Sequence, residues 1–149
     1  MKIEDEIKGR FRNDYHKGLV NLNFTIKQLS YDFLQSLRKH GLTEPQYNIL
    51  KILYEYKTET PLSIGFLKER LLDKNSDVSR IVDKLFEKGY IDRTENAVDR
   101  RQKDVVINEK GLALLSDSDD CELKADALLK NLTLDEVREL NRLLDKIRD

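Results

Sequence analysis

The chain has 149 residues, with 27 Lys and Arg against 28 Asp and Glu for a net charge of −1. A charged share of 37%, against about 25% in an average soluble domain, leaves much of every element as solvated face. One Cys and two His exclude a disulfide framework and a multi-Cys metal centre, while six Gly and two Pro turn the composition towards helix and away from a turn-rich barrel or sandwich.

In chain order, Met1 to Glu6 is acidic where a secretory leader would be basic and then apolar. No apolar run approaches the roughly 20 residues of a membrane span. The expectation is a cytoplasmic protein with no membrane partner. Leu19, Leu22, Ile26, Leu29, Phe33 and Leu37 recur at steps of three and four, which predicts one face of a long helix ending at Gly41. Thr43-Glu-Pro-Gln46 is a capping box with Pro in the first turn, and Tyr47, Ile49, Leu50, Leu53 and Tyr54 carry its helix to about Tyr56. Ser63 caps a short helix containing Ile64, Phe66, Leu67 and Leu71 that fades by Asp73.

After a few polar residues a further helix, capped by Asn75 or Ser76, runs to Gly89 with Val78, Ile81, Val82, Leu85 and Phe86 inward. The short link between these two helices suits a helix-turn-helix. The period then changes. Tyr90 to Thr94 and Asp104 to Ile107 read as two strands around a polar turn, a hairpin wing. Asn108 caps the next helix, and Ser116 to Asp120 is poor helix former that should kink it. Thr133-Leu-Asp-Glu136 is a second capping box, opening a last helix with Val137, Leu140, Leu144 and Ile147 inward.

Two clusters carry candidate chemistry. The helix after Asn75 offers Ser76, Asp77, Ser79, Arg80, Asp83 and Lys84 on its polar face. Small hydroxyls near a helix N-terminus reach phosphates in a major groove, and an Arg one turn on pairs with guanine. Asp77 and Asp83 argue the other way, since both repel phosphate. The wing offers Arg93, Asp99, Arg100, Arg101 and Lys103. Cations at the tip of a two-stranded projection suit the negative potential of a minor groove, with Asp99 holding a neighbouring guanidinium in register. No paired carboxylates, nucleophile–base set or phosphate loop points to an enzyme.

These residues, in this order, resemble the MarR family of winged helix-turn-helix transcriptional regulators. The segment VSRIVDKLFEKGYIDR from Val78 to Arg93 is similar to the family's recognition helix and first wing strand. Asp99-Arg-Arg101 followed by Ile107-Asn-Glu-Lys-Gly111 resembles its wing signature, and Leu42-Thr-Glu-Pro-Gln46 the start of its second helix. Asn108 stands where Thr is usual; both cap helices well.

The resemblance implies a mainly α fold with a small β-hairpin wing. In it, a winged lobe over residues 43–107 sits between dimerisation helices at 1–41 and 109–149, all in a single domain 1–149. It implies a homodimer whose first and last helices interlock. It further implies a repressor on a palindromic double-stranded operator, released by a small-molecule effector whose pocket Tyr31, Phe33, Tyr47 and Tyr54 are candidates to line, although on the residues alone most of the four read as core. No cofactor or metal is expected, and His16 and His40 are too far apart in sequence to suggest a ligand pair. Cys121 follows Asp117, Asp119 and Asp120, whose charges disfavour a reactive thiolate. The competing function is a winged-helix module that binds protein rather than DNA.

Overall fold

The computed structural model describes the backbone of residues 1–149 and all side chains except those of Asp120, Cys121, Glu122 and Ala125. The thiol of Cys121 therefore lies outside the described residues. The elements run α1 (Ile3–Glu6), α2 (Asp14–Lys39), α3 (Glu44–Glu55), β1 (Leu62–Ser63), α4 (Ile64–Arg70), α5 (Val78–Glu87), β2 (Ile91–Glu95), β3 (Lys103–Ile107), α6 (Glu109–Asp117), α7 (Asp119–Ala127) and α8 (Leu134–Arg148). The architecture is mainly α with a small antiparallel sheet.

Local capping sets most of the boundaries. The Asn13 side chain accepts the His16 N–H to start α2, and Ser63 accepts the Phe66 N–H to start α4. Thr43 and Thr133 both close full capping boxes, on Gln46 and Glu136. Helices α2 and α5 end alike. Leu42 N–H reaches back to the Leu37 carbonyl and Tyr90 N–H to that of Leu85, each with a glycine at positive φ, Gly41 at 68° and Gly89 at 79°. The expected break after Ser116 falls at Ser118, between α6 and α7.

Leu37, Leu42, Tyr47, Ile49, Leu50, Leu53, Leu67, Val82, Leu85, Ile91, Val105 and Leu115 form a continuous buried core drawn from the end of α2 through α6. Each fully buried Leu, Ile or Val contributes about 1.5–3 kcal/mol. This core fixes the pose of α5 against α3 and α4. Ile3 of α1 is also buried, and Glu4 pairs with Lys17 of α2.

Three features depart from the sequence reading. The wing is a three-stranded sheet in the order β1-β3-β2, because Leu62 and Ser63 pair with Val105 and Asp104. A two-residue strand leaves no period to read in sequence. Helix α5 is capped by Asp77, whose carboxylate accepts the Arg80 N–H at 3.2 Å, rather than by Asn75 or Ser76. Finally, Val137, Leu140 and Leu144 are only half-buried and, with Ile147, lie outside the core. Helix α8 has no buried residue, and Ile147 is 70% exposed.

Candidate nucleic-acid interface

Helix α5 divides into the two faces its sequence implies. Val78, Val82 and Leu85 are buried, while Ser79, Arg80, Asp83 and Lys84 are exposed. Asp77 is occupied as the cap, and the half-buried Ser76 belongs to the preceding turn, its N–H donating to the Asp73 carbonyl at 3.2 Å. Lys84 pairs with Glu87 one turn on, at 3.3 Å. Arg80 is exposed and makes no ion pair among the described residues.

The wing is bound to this helix. The Arg93 guanidinium donates to the Asp83 carboxylate at 2.6 Å and lies over the Phe86 ring at 3.9 Å. Its side chain is 30% exposed, so Arg93 is a bracket between β2 and α5 more than a free cation. The same contact neutralises Asp83, which read in sequence as an obstacle to phosphate. Phe86, read from sequence as part of the inward apolar face, is instead 41% exposed under the Arg93 guanidinium, and neither it nor Asp83 was assigned this role from sequence. The i, i+3 spacing of two α5 residues opposite a strand Arg is the only signal, and it is weak.

At the tip, Arg100 and Arg101 are exposed, without an ion pair among the described residues. Lys103 reaches Glu95 across the ladder at 3.8 Å. Asp99 does not hold a guanidinium. Its carboxylate accepts the backbone N–H of Arg101 at 3.0 Å, so it shapes the turn and leaves the Arg101 side chain to project. Ser63, Gly65, Ser79, Asp83, Arg93, Arg101 and Lys103 line one cleft of about 450 Å³ between the N-terminus of α4, helix α5 and the wing. Helix and wing candidates thus share one surface.

Behind the wing, Asn108 both caps α6, accepting the Gly111 N–H at 3.0 Å, and donates from its amide to the Gly89 carbonyl at 2.9 Å. Lys88 ties the end of α5 to the Gly41 carbonyl at 3.0 Å and to Gln46 at 3.1 Å.

The four aromatic candidates are not gathered into one pocket. Phe33 and Tyr47 meet edge to face at 5.8 Å between centroids, with Tyr47 buried in the core. Tyr31 is 63% exposed, and Tyr54 stands on the outer surface beside Lys57. Phe33 lines a recess of about 470 Å³ with Leu29, Asp32, Lys124 and Leu128, whereas Tyr31 lines a different hollow on α2. No helix among the described residues is long and apolar enough to cross a membrane.

Known proteins share this fold. The sequence profile of the MarR family matches residues 42–103. The HTH-type transcriptional regulator MhqR of Bacillus subtilis (strain 168) is 31% identical over 133 residues, covering 88% of this chain and 89% of MhqR. Among solved structures, a MarR mutant from E. coli complexed with operator DNA superposes with a TM-score of 0.68 at 24% identity, over 91% of this chain and 99% of that one. BpsR of Bordetella bronchiseptica superposes with a TM-score of 0.77 at 19% identity, over 95% and 99%. With the capped α5, its bracketed wing and these relatives together, the chain belongs to the MarR family of winged-helix, DNA-binding transcriptional regulators.

Proposed function

We propose that the protein is a homodimeric repressor that reads a palindromic double-stranded operator and is released by a small-molecule effector. The observation that carries the reading is the fixed joint of α5 and wing, with Ser79 and Arg80 outward on one part and Arg100 and Arg101 on the other. In this reading Ser79 and Arg80 enter the major groove, Arg80 towards base edges. Arg100 and Arg101 meet the adjacent minor groove or backbone. Of the two acids that favoured a protein-binding module, Asp83 is paired with Arg93 and Asp77 serves as the α5 cap. That weakens the competing case.

Dimerisation is supported by the apolar groove between α2 and α8. Tyr15, Leu19, Leu22, Leu140, Leu143 and Leu144 line a trough of about 610 Å³, and Tyr15 is 91% and Leu19 60% exposed. Apolar faces of this extent call for a partner, and a second copy would bring two recognition helices to the roughly 34 Å separation of successive major grooves. For effector control, the supporting facts are the recess lined by Phe33 and Lys124, at the junction of α2 and α7, and the regulation of BpsR by 6-hydroxynicotinic acid named for that protein. A ligand wedged there would alter the spacing of the lobes and so the affinity for DNA.

Selection of bound duplexes from a random library, followed by a salt titration, tests the reading. A palindromic consensus and a steep linear fall of log affinity with log salt are expected. Binding that is insensitive to salt, or no enriched sequence, would return the protein-binding module to the front.

A further inference from the structure

The loop joining β2 to β3 spans residues 96–102 and carries the exposed Val98, Arg100 and Arg101. It is not a slack turn. Asn96 stands at its base, with its amide nitrogen donating to both carboxylate oxygens of Asp104, at 3.2 and 3.1 Å. The amide oxygen accepts the Val98 N–H at 2.9 Å and the Asp99 N–H at 3.0 Å. Backbone bonds from Asn96 N–H to the Gln102 carbonyl and from Gln102 N–H to the Asp99 carbonyl, each 3.0 Å, close the loop.

Asp104 is 8% exposed on β3, opposite Ser63 and Thr94. A buried carboxylate is costly unless hydrogen-bonded, and here the Asn96 amide is its side-chain partner among the described residues. Because a carboxylate only accepts, it forces the Asn96 NH₂ inward and the amide oxygen outward, towards the two loop N–H groups. Asp104 therefore sets the orientation of Asn96, and Asn96 sets the path of the tip.

Resting on the DNA-binding reading above, we propose that Asn96 and Asp104 are positioning residues that order the wing tip before DNA arrives. They touch no nucleic acid themselves. Ordering a loose loop costs conformational entropy at the moment of binding, and the tenfold loss expected without the brace corresponds to about 1.4 kcal/mol. An already ordered tip presents Arg100 and Arg101 without that cost at the moment of binding.

Salt dependence separates positioning from contact. The slope of log affinity against log salt counts the phosphates neutralised in the complex, and loop ordering leaves that count unchanged. The experiment compares wild type, Asn96→Ala, Asn96→Asp and the swap Asn96→Asp with Asp104→Asn. Each is titrated with a fluorescent random-sequence duplex and with the duplex selected by the wild-type protein. Amide exchange at Val98 and Asp99 is followed by NMR, and thermal melting checks the fold.

Asn96→Ala is expected to expose both amides to exchange and weaken both duplexes about tenfold at an unchanged slope. Asn96→Asp, which sets two carboxylates face to face, is expected to do the same or worse. The swap restores a donor–acceptor pair in reverse and is expected to return amide protection and affinity to within about twofold of wild type. Unchanged amide protection and affinity in Asn96→Ala would overturn the proposal. A slope lowered by about one would also overturn it, by making Asn96 a phosphate contact. If the wild type bound neither duplex in a salt-dependent way, the DNA reading would fall and this role with it, even with the amides still protected by Asn96.

Discussion

Arg93 and Asp83 stand ten residues apart in sequence and 2.6 Å apart in the fold, and through them β2 of the wing is tied to α5. The pair is half open to solvent, with Asp83 57% and Arg93 30% exposed, so its Coulombic part is small, on the order of 0.2–1 kcal/mol. The stacking of the guanidinium over Phe86 adds about 0.5–1 kcal/mol. Arg93→Ala is accordingly expected to lower stability by about 1 kcal/mol. Arg93→Lys should recover only part of it, since an ammonium cannot reproduce the planar stack. Urea denaturation measures both, and a loss near zero in Arg93→Ala would show that the bracket is idle.

Arg80 and Arg101 should fail in different ways. Arg101→Ala is expected to weaken all duplexes by similar factors and to reduce the salt slope by about one. Arg80→Ala should cost about 1–3 kcal/mol on the selected duplex and relax preference at one position per half-site. Titrations against selected and scrambled duplexes across a salt range resolve the two. Equal losses on both duplexes for Arg80→Ala, with no change for Arg101→Ala, would reverse the assignment.

Gly111 is required for a steric reason. A Cβ at this position would lie 2.3 Å from the Tyr90 carbonyl oxygen and 2.8 Å from Ile107 Cγ1. The first of these is backbone, itself accepting the Asn108 N–H at 3.2 Å, so it has little room to retreat. Gly111→Ala is expected to destabilise the fold by about 1–3 kcal/mol, the usual range for overpacking. Chemical denaturation reads this directly, and a neutral result would mean that α6 can slide away from the wing.

The groove between α2 and α8 makes a prediction about mass. Sedimentation of the wild type at micromolar concentration should report about twice the 17.5 kDa of the chain. Leu143→Asp, at a position 44% exposed on the groove, buries an unpaired charge in any interface formed there. It should give a monomer with helical content intact. A wild-type monomer would remove the two-lobe docking geometry.

Glu136 gives a pH prediction for α8. Its carboxylate accepts the Thr133 N–H at 2.7 Å and the Thr133 hydroxyl at 3.0 Å, and these bonds hold its pKa below the ordinary 4.5. A carboxyl lowered on folding contributes stability above its unfolded value and loses it as pH falls through the folded one. Helix α8 should therefore fray as pH drops below about 4.5. In Glu136→Gln the acid fraying should be shallower. Backbone chemical shifts of Thr133 to Val137 report the change, and identical acid curves for the two proteins would exclude the cap as its source.

Much of this fold was legible because its signals are local. Apolar spacing marked α2, α3 and α5, and side chains three residues apart closed the caps at Thr43, Asn108 and Thr133. Such interactions form within one turn, so their pattern is written in adjacent residues. The polar face of α5 and the basic tip of the wing were legible for the same reason.

What the tertiary structure decided depends on residues that only the fold makes neighbours. Sequence placed Arg93 and Asp99 among the wing's cations and their helper. The fold brackets Arg93 to Asp83 and Phe86, and turns Asp99 onto the Arg101 backbone. It pairs Leu62 and Ser63 with β3, brings Asp104 under Asn96, and brings the Tyr90 carbonyl against Gly111. It also leaves the apolar stripe of α8 only partly covered by its own chain. None of these follows from periodicity, because a helical or strand period fixes which face a side chain takes and leaves open what that face meets.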